Sequence, residues 1–311
     1  MEEFLDLLRG STREQATLDA YRQGLVQYSE WLEMDELAPE DATTRDIKRF
    51  LSWLKSERGY APNTIRTRYS AVSEYYKDLS DVVDDLENPV EDVRVADFAP
   101  PTTKREEVTK EERVWLSKEE VTELVENVPA PTVRNRLVIL FQYFTGLRVG
   151  EVSDVKLSDL DRDNRRVQVR GKNDVVHTAH WQPKLDGLLT AWIDKYRSSS
   201  TYASESQYLF LTSSSPQLSA VRINDIVVEA AEEAGIQEVL YRDANGRKRR
   251  KVTSHTLRHS FAMHWLQNGG TLEGLSHHLA HSSQQTTEIY GEILDERAEE
   301  EYEKFAPDID F

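Results

Sequence analysis

Residues 255–264 read HTLRHSFAMH, three of the chain's eight histidines and one arginine within ten positions. His255, Arg258 and His259 stand at i, i+3 and i+4, one face of a helix. Thr253 or Ser254 can cap that helix, which puts His255 in the first turn, where free backbone N–H groups and the dipole favour an anion. Leu257, Phe261 and Trp265 make an apolar face that is expected to enter the core. His255, Arg258 and Ala262 make another, and a short residue behind two cationic donors leaves room for a phosphate beside the planar fork of arginine. Taken by itself the stretch also fits a polar surface helix or a metal site.

The metal reading draws on His255 and His259 as H-x-x-x-H and on His277, His278 and His281 as H-H-x-x-H. Two histidines at i, i+4 can hold zinc, but HExxH with its general-base glutamate is absent and neither cluster has an evident third ligand. The chain has no cysteine, which excludes disulfides, iron–sulfur clusters and thiolate zinc sites. No metal and no cofactor are expected.

At 311 residues, 38% hydrophobic and 31% charged, the chain is expected to be soluble and to hold two domains. Apolar runs such as LVILF (137–141) are too short to span a bilayer, so no membrane partner is expected. The acidic start, MEEFLDLLRG, lacks a basic n-region, and a cytoplasmic protein, nucleoid-associated when bound to DNA, is the expectation. The formal charge of −17 argues against a polyanionic partner until its distribution is read. Residues 134–258 carry 20 Lys+Arg against 15 Asp+Glu, whereas the remainder carries 19 against 41. The acid lies in the N-terminal region and the tail. The central segment is mildly basic and contains GRKRRK (246–251) just before the opening stretch. Excess acid, with 26 Arg to 13 Lys, resembles proteins of a high-salt cytoplasm, and a halophilic archaeal source is expected.

The periodicity predicts a fold that is mainly α with small β-hairpins, an α+β class. Residues 1–95 read as about four helices. One starts with Thr12 and Gln15 as a capping box and carries Leu18, Tyr21, Leu25, Tyr28 and Leu32. A second opens at Thr44, carries Ile47, Phe50, Leu51 and Leu54, and ends at Gly59. A third opens at Pro62 with Ile65, Tyr69, Val72 and Tyr76. Residues 96–116, rich in charge and with paired prolines, read as a linker. The second domain, 117–311, starts with a helix capped by Ser117, followed by a helix over 133–144 that Gly146 can terminate. RRVQVR (165–170) and VVHTAHW (175–181) alternate like strands around GKND, and Asn245-Gly246 marks a second hairpin. Farther on, LAHSSQQTTEIYGEI (279–293) ends one helix at His281, offers Ser282 or Ser283 as a cap, and places Tyr290 beside Ile289 and Ile293. A phenol with its pKa near 10 can be a nucleophile only where cations stabilise its charge.

These boxes, in this order, resemble the tyrosine recombinases (the phage integrase family), and Xer-like members in particular. HxxR at 255–258, then L-x-H-S with His281, then Tyr290 is similar to that family's C-terminal box. TGLRVGEV (145–152) is similar to its first box, with Arg148 in the catalytic position, and Lys172 in GKND matches its hairpin-turn lysine. TLDAYRQGLVQYSEWL, PNTIRTRYSAVSEYY and NPVEDV resemble its N-terminal helical, SAM-like core-binding domain. Two departures stand out: Ala280 replaces the usual glycine of LGH, and the GKND turn is short, which leaves Arg170 and Lys156 as fallbacks for Lys172.

The resemblance implies a site of Arg148, Lys172, His255, Arg258, His281 and Tyr290. Arg148 and Arg258 would clamp a DNA phosphodiester, His281 would donate to a phosphate oxygen, and Tyr290 would attack to form a 3′-phosphotyrosine. Lys172 would serve as general acid, with His255 as base or phosphate support. His259 and His264 are expected to be structural. The implied partner is double-stranded DNA held between the two domains. A homo-oligomer is also implied, a dimer per site and a tetramer in synapsis, with accessory proteins a further expectation. Arg66, Arg68, Arg247, Lys248, Arg249, Arg250 and Lys251 are expected to meet DNA phosphates. The acidic tail, 296–311, carries Phe305, Ile309 and Phe311 and is expected to pack on a neighbouring protomer. Still open are a topoisomerase-like relaxing activity, an idle accessory protein of the same fold, and a metal-dependent nuclease.

Overall fold

A computed structural model of the chain describes residues 15–83, 86–100, 114–171, 176–242 and 248–279, together with Phe4 and Asp6. The Thr12 cap, the tip of the GKND turn with Lys172, the Asn245-Gly246 turn, Arg247, His281, Tyr290 and the tail lie outside the described residues. The chain divides into two compact units, 1–107 with 243–247, and 108–242 with 248–311.

In the first unit, helix α1 spans Gln15–Met34, α2 Thr44–Ser56 and α3 Pro62–Val82. Thr43, one residue before the predicted start, caps α2: its backbone N–H and hydroxyl both donate to Asp46, closing a capping box. Pro62 supplies the first turn of α3, where its missing N–H costs nothing. The apolar positions spaced along the three helices converge on one core, with Tyr28, Ile47, Phe50, Leu51, Leu54, Val72 and Tyr76 fully shielded. Tyr28 and Tyr76 satisfy each other's hydroxyls at 2.5 Å, and Tyr76 also reaches the Pro39 carbonyl at 2.9 Å, so two buried phenols leave no orphan donor. The ends of the predicted linker are packed. Ala99 is buried in this core, and Leu116 is buried in the second one, where its N–H donates to the Ser260 hydroxyl at 2.8 Å. The linker reading at 96–116 is therefore too long at both ends, because short apolar side chains next to prolines and charges carry no periodic signal.

The second unit is helical around one large apolar core. Helix α4 (Lys118–Glu126) begins with a capping box between Ser117 and Glu120, and α5 is Thr132–Thr145. Gly146 ends α5 in the left-handed region at φ 65°, and α6 (Val149–Asp154) follows at once. A three-stranded antiparallel sheet runs β1 (Leu160–Asp161), β2 (Arg166–Arg170), β3 (Val176–His180). Then come α7 (Asp186–Ala191), α8 (Ala220–Glu233) and the two-stranded sheet of β4 (Val239–Arg242) and β5 (Lys248–Arg250). Helix α9 is Ser254–Gln267 and α10 Leu272–Leu279. Among the described residues no helix is long and apolar enough to cross a membrane.

The opening stretch forms α9, capped at Thr253, and its environment differs from the single apolar face expected. Ser254, Thr256, Leu257, Arg258, Ser260, Ala262, His264 and Leu266 are all buried, whereas Phe261 and Trp265 are only half-buried. The helix is central, packed by α5, α8 and α10. Its polar members are accommodated by hydrogen bonds from distant elements rather than by solvent. His264 is structural, as expected: its Nδ1 shares a 2.7 Å hydrogen bond with the Tyr143 hydroxyl, and its ring meets Trp115 edge-on.

Candidate active site

The site is built where the end of α5, the start of α6 and the inner side of α9 meet. Gly146 lets the chain reverse tightly enough to present Arg148 two residues later. Arg148 is the N-cap of α6, and the third helical residue, Glu151, folds back onto it. Glu151 accepts the Arg148 backbone N–H at 2.7 Å and its Nη1 at 2.9 Å. Arg148 keeps 46% of its side chain exposed, while Glu151 keeps 8%. The carboxylate thus fixes one edge of the guanidinium and leaves the rest of the fork toward solvent.

Arg258 approaches the same carboxylate from α9, with Nη1 3.9 Å from Glu151. Only 5% exposed, it donates from Nη1 to the Gly146 carbonyl at 2.7 Å and from Nη2 to the Leu279 carbonyl at 3.0 Å. These two carbonyls are the last acceptors of α5 and α10, which intrahelical bonding leaves unsatisfied. One buried guanidinium therefore ties three helices to one point. Arg148 and Arg258, 110 positions apart in the chain, both approach Glu151. Glu151 is the residue that holds them; it lies in TGLRVGEV but was not among the expected site residues.

His255 stands in the first turn of α9 with an exposed edge, its ring meeting that of His259 at 4.4 Å in an edge-on pair. Partial desolvation, then the positive charges of Arg258 and Arg148, hold its pKa below the usual imidazole value. A neutral His255 can accept a proton, which the implied base requires. Thr253 and Asn224 fix this end of the helix, Asn224 accepting the Ser254 N–H at 3.1 Å. A groove of about 740 Å³ opens here, lined among others by Val149, Asn224, Lys248, Arg249, Ser254 and His255.

The other expected DNA contacts divide. Lys248 and Arg249 lie exposed on β5, whereas Arg250 faces Glu232 at 3.4 Å and Lys251 faces Glu238 at 3.3 Å. Arg68 is corrected: it is 6% exposed, donates to the Ala20 carbonyl and to Gln23 at 2.9 Å each, and so bridges α3 to α1 instead of facing a ligand. Arg66 donates from Nε and Nη2 to the Ala99 carbonyl at 3.1 and 3.0 Å, which ties α3 to the chain that follows it. Both lie on a helix whose face could not be assigned from the string TIRTRY alone.

Beneath the site, His278 of α10 donates from Nε2 to the Thr145 carbonyl at 3.0 Å and stacks on Phe261 and Trp265. Desolvation, with lesser contributions from His180, His177 and Arg258, pushes its pKa down to about 4. The folded value lies below the unfolded value of 6.5, so the neutral ring stabilises the fold above pH 6.5, and that contribution disappears as pH falls toward 4. At most about 3 kcal/mol is at stake. The thermal midpoint is expected to fall between pH 6.5 and 4. His278→Leu should flatten that decline, and an unchanged profile would show that His278 does not contribute to it.

Residues 114–297 match the phage integrase family, and residues 1–83 match the N-terminal SAM-like domain of phage integrases. The chain is 30% identical over 310 residues to tyrosine recombinase XerA of Pyrococcus furiosus, covering 98% of this chain and 93% of the relative. A crystal structure of XerA recombinase superposes over 99% of this chain and 98% of that one, with a TM-score of 0.51 and 26% identity. The XerH site-specific recombinase bound to its difH substrate in a pre-cleavage complex shares the fold. Its TM-score is 0.65 at 21% identity, over 90% of this chain and 78% of that one. With that match over more than half its length and a near-full-length relative at this identity, the chain belongs to the phage integrase family.

Proposed function

We propose that this protein is a site-specific DNA recombinase that cuts and rejoins strands through a 3′-phosphotyrosine intermediate. The observation that carries the reading is the convergence of Arg148 and Arg258 on Glu151, two forks held rigid before any ligand arrives. A phosphodiester gains charge on its non-bridging oxygens in the transition state, and donors already in place stabilise it without reorganisation. The Tyr290 oxygen attacks phosphorus as the bond to the 5′ oxygen breaks, and the 3′ phosphate remains on the tyrosine. His255 takes the phenol proton or supports the phosphate, Lys172 protonates the leaving 5′ oxygen, and His281 donates to a phosphate oxygen. The covalent bond conserves the phosphodiester energy, so rejoining to a new 5′-hydroxyl runs the same steps in reverse, without ATP or metal.

Lys248 and Arg249 on β5, Arg250, Lys251, the exposed fork of Arg148 and, one position before β5 in the sequence, Arg247 are the phosphate contacts of this reading. Binding to double-stranded DNA is therefore expected to weaken steeply with salt. The working assembly is a homo-oligomer, a dimer on each site and a tetramer in synapsis, with accessory proteins able to bias its direction. The acid excess and the Arg-rich balance support a halophilic archaeal source, and the enzyme of this reading works in the cytoplasm, nucleoid-associated while it holds DNA.

The test is a nicked suicide duplex carrying the cognate site, incubated with the protein in EDTA. A covalent protein–DNA adduct is expected, with peptide mass spectrometry placing the nucleotide on Tyr290. No adduct on a bound cognate site, or a linkage to any other residue, would sink the mechanism. Cleavage that EDTA abolishes would point to a metal-dependent nuclease.

A further inference from the structure

The alternation of the β2–β3 hairpin puts one residue where its chemistry does not belong. Strand β2 buries Val167 and Val169 and exposes Arg166, Gln168 and Arg170. The register sets Val167 opposite Ala179 and Val169 opposite His177. Ala179 is fully buried, so His177, two residues before it, stands on the same inner face against an apolar partner. A valine would suit that position. The residue present is an imidazole whose Nδ1 and Nε2 are both buried and make no hydrogen bond among the described residues. A buried polar group left unpaired carries an uncompensated desolvation cost, and in a native fold it calls for an explanation.

Its surroundings supply one. Strand β3 packs on α5 and α10, the helices whose final carbonyls, Gly146 and Leu279, hold Arg258. Glu151, Arg258 and Arg148 all act on the His177 ring, and His278 is a further titratable neighbour. Burial, reinforced by the two arginines against the opposing Glu151, keeps the ring neutral. Neutral, it offers one N–H donor. Arg258, itself only 5% exposed, is one of the charges that act on this ring.

We propose that His177 is a further substrate-contacting residue, its ring N–H donating to a non-bridging oxygen of the phosphodiester that Arg148 and Arg258 clamp. The inference rests on the recombinase reading above. It also gives the hairpin a second role, because the strand leading from the Lys172 turn would touch the phosphate itself.

The experiment compares the parent protein with His177→Leu and His177→Gln in DNA affinity, thermal midpoint and rate of adduct formation on the suicide duplex. Affinity should stay within about twofold, because many phosphate contacts share the binding. The leucine variant should melt at or above the parent, since it removes an unpaired polar group, yet form adduct at least about tenfold more slowly, as expected for losing a hydrogen bond to a charged group. Glutamine, which keeps an N–H, should recover part of the rate. A methylphosphonate at the scissile position, lacking one charged oxygen, should shrink the leucine penalty. Parent-like cleavage by His177→Leu would overturn the proposal, as would a melting loss that accounts for the rate loss or an undiminished penalty on methylphosphonate. Absence of adduct with the parent itself is a separate result, since it needs no variant and defeats the recombinase reading first.

Discussion

Arg258→Ala is expected to abolish useful cleavage and to weaken the fold at once. As a phosphate clamp its loss should lower the rate of adduct formation by about 10²–10³, the scale on which one preorganised oxyanion donor matters. As a structural tie its loss leaves the Gly146 and Leu279 carbonyls without their donor and removes a positive charge from beside the buried Glu151. Removing one partner from a buried pair of this kind costs about 3–5 kcal/mol. Arg258→Lys separates the two roles. The charge stays, but a point-like ammonium cannot span two carbonyls in different directions and also present a flat fork. The lysine variant should therefore keep part of the stability and still lose at least about tenfold in rate. Single-turnover adduct formation and urea unfolding measure the two effects. Parent-like cleavage by Arg258→Ala would remove this arginine from the mechanism.

Gly146→Ala is expected to produce a large stability loss for the addition of one carbon. At φ 65° any L-residue meets its own carbonyl, costing about 1–2 kcal/mol. The added Cβ would also lie 2.6 Å from both Leu279 Cδ2 and Phe261 Cδ1, closer than carbon atoms tolerate, so those two packed side chains would have to shift. Together the expected loss is about 3 kcal/mol or more, a drop of roughly 6–12 °C in the melting of the second unit. Gly146→Asn distinguishes the causes. Asparagine accepts the left-handed region more readily, so a melt close to that of alanine would assign the loss to the clash, and a recovery would assign it to the backbone.

The local signals in the chain were legible because they are short-range. Gly146 as a helix stop, the Ser117 cap, a cap at Thr253 or Ser254, and the paired strands β2–β3 and β4–β5 are each decided by a few adjacent residues, and each stands where the pattern put it. The burial of Arg258 was not legible, because the carbonyls that receive it lie 112 and 21 residues away. The same distance hid the role of Arg68, whose acceptors sit two helices earlier, and the partner of His264, which is 121 residues upstream. Glu151 reads in the sequence as one more acid in an acidic protein. Only the close return of α6 onto Arg148 makes it the holder of two arginines. His177 reads as an ordinary member of an alternating strand until the register sets it opposite Val169.

The pairing of two guanidinium groups with one carboxylate has a consequence for selectivity. Arg148, Arg258 and Glu151 together carry one net positive charge, and desolvation holds His177, His255 and His278 toward their neutral forms. A phosphodiester linkage carries one negative charge, which matches the net charge of these three side chains. A terminal phosphate monoester, carrying closer to two, would leave these three side chains with an excess of negative charge beside the buried Glu151. The charge count at this one point thus favours an internal linkage of a continuous strand over a chain end.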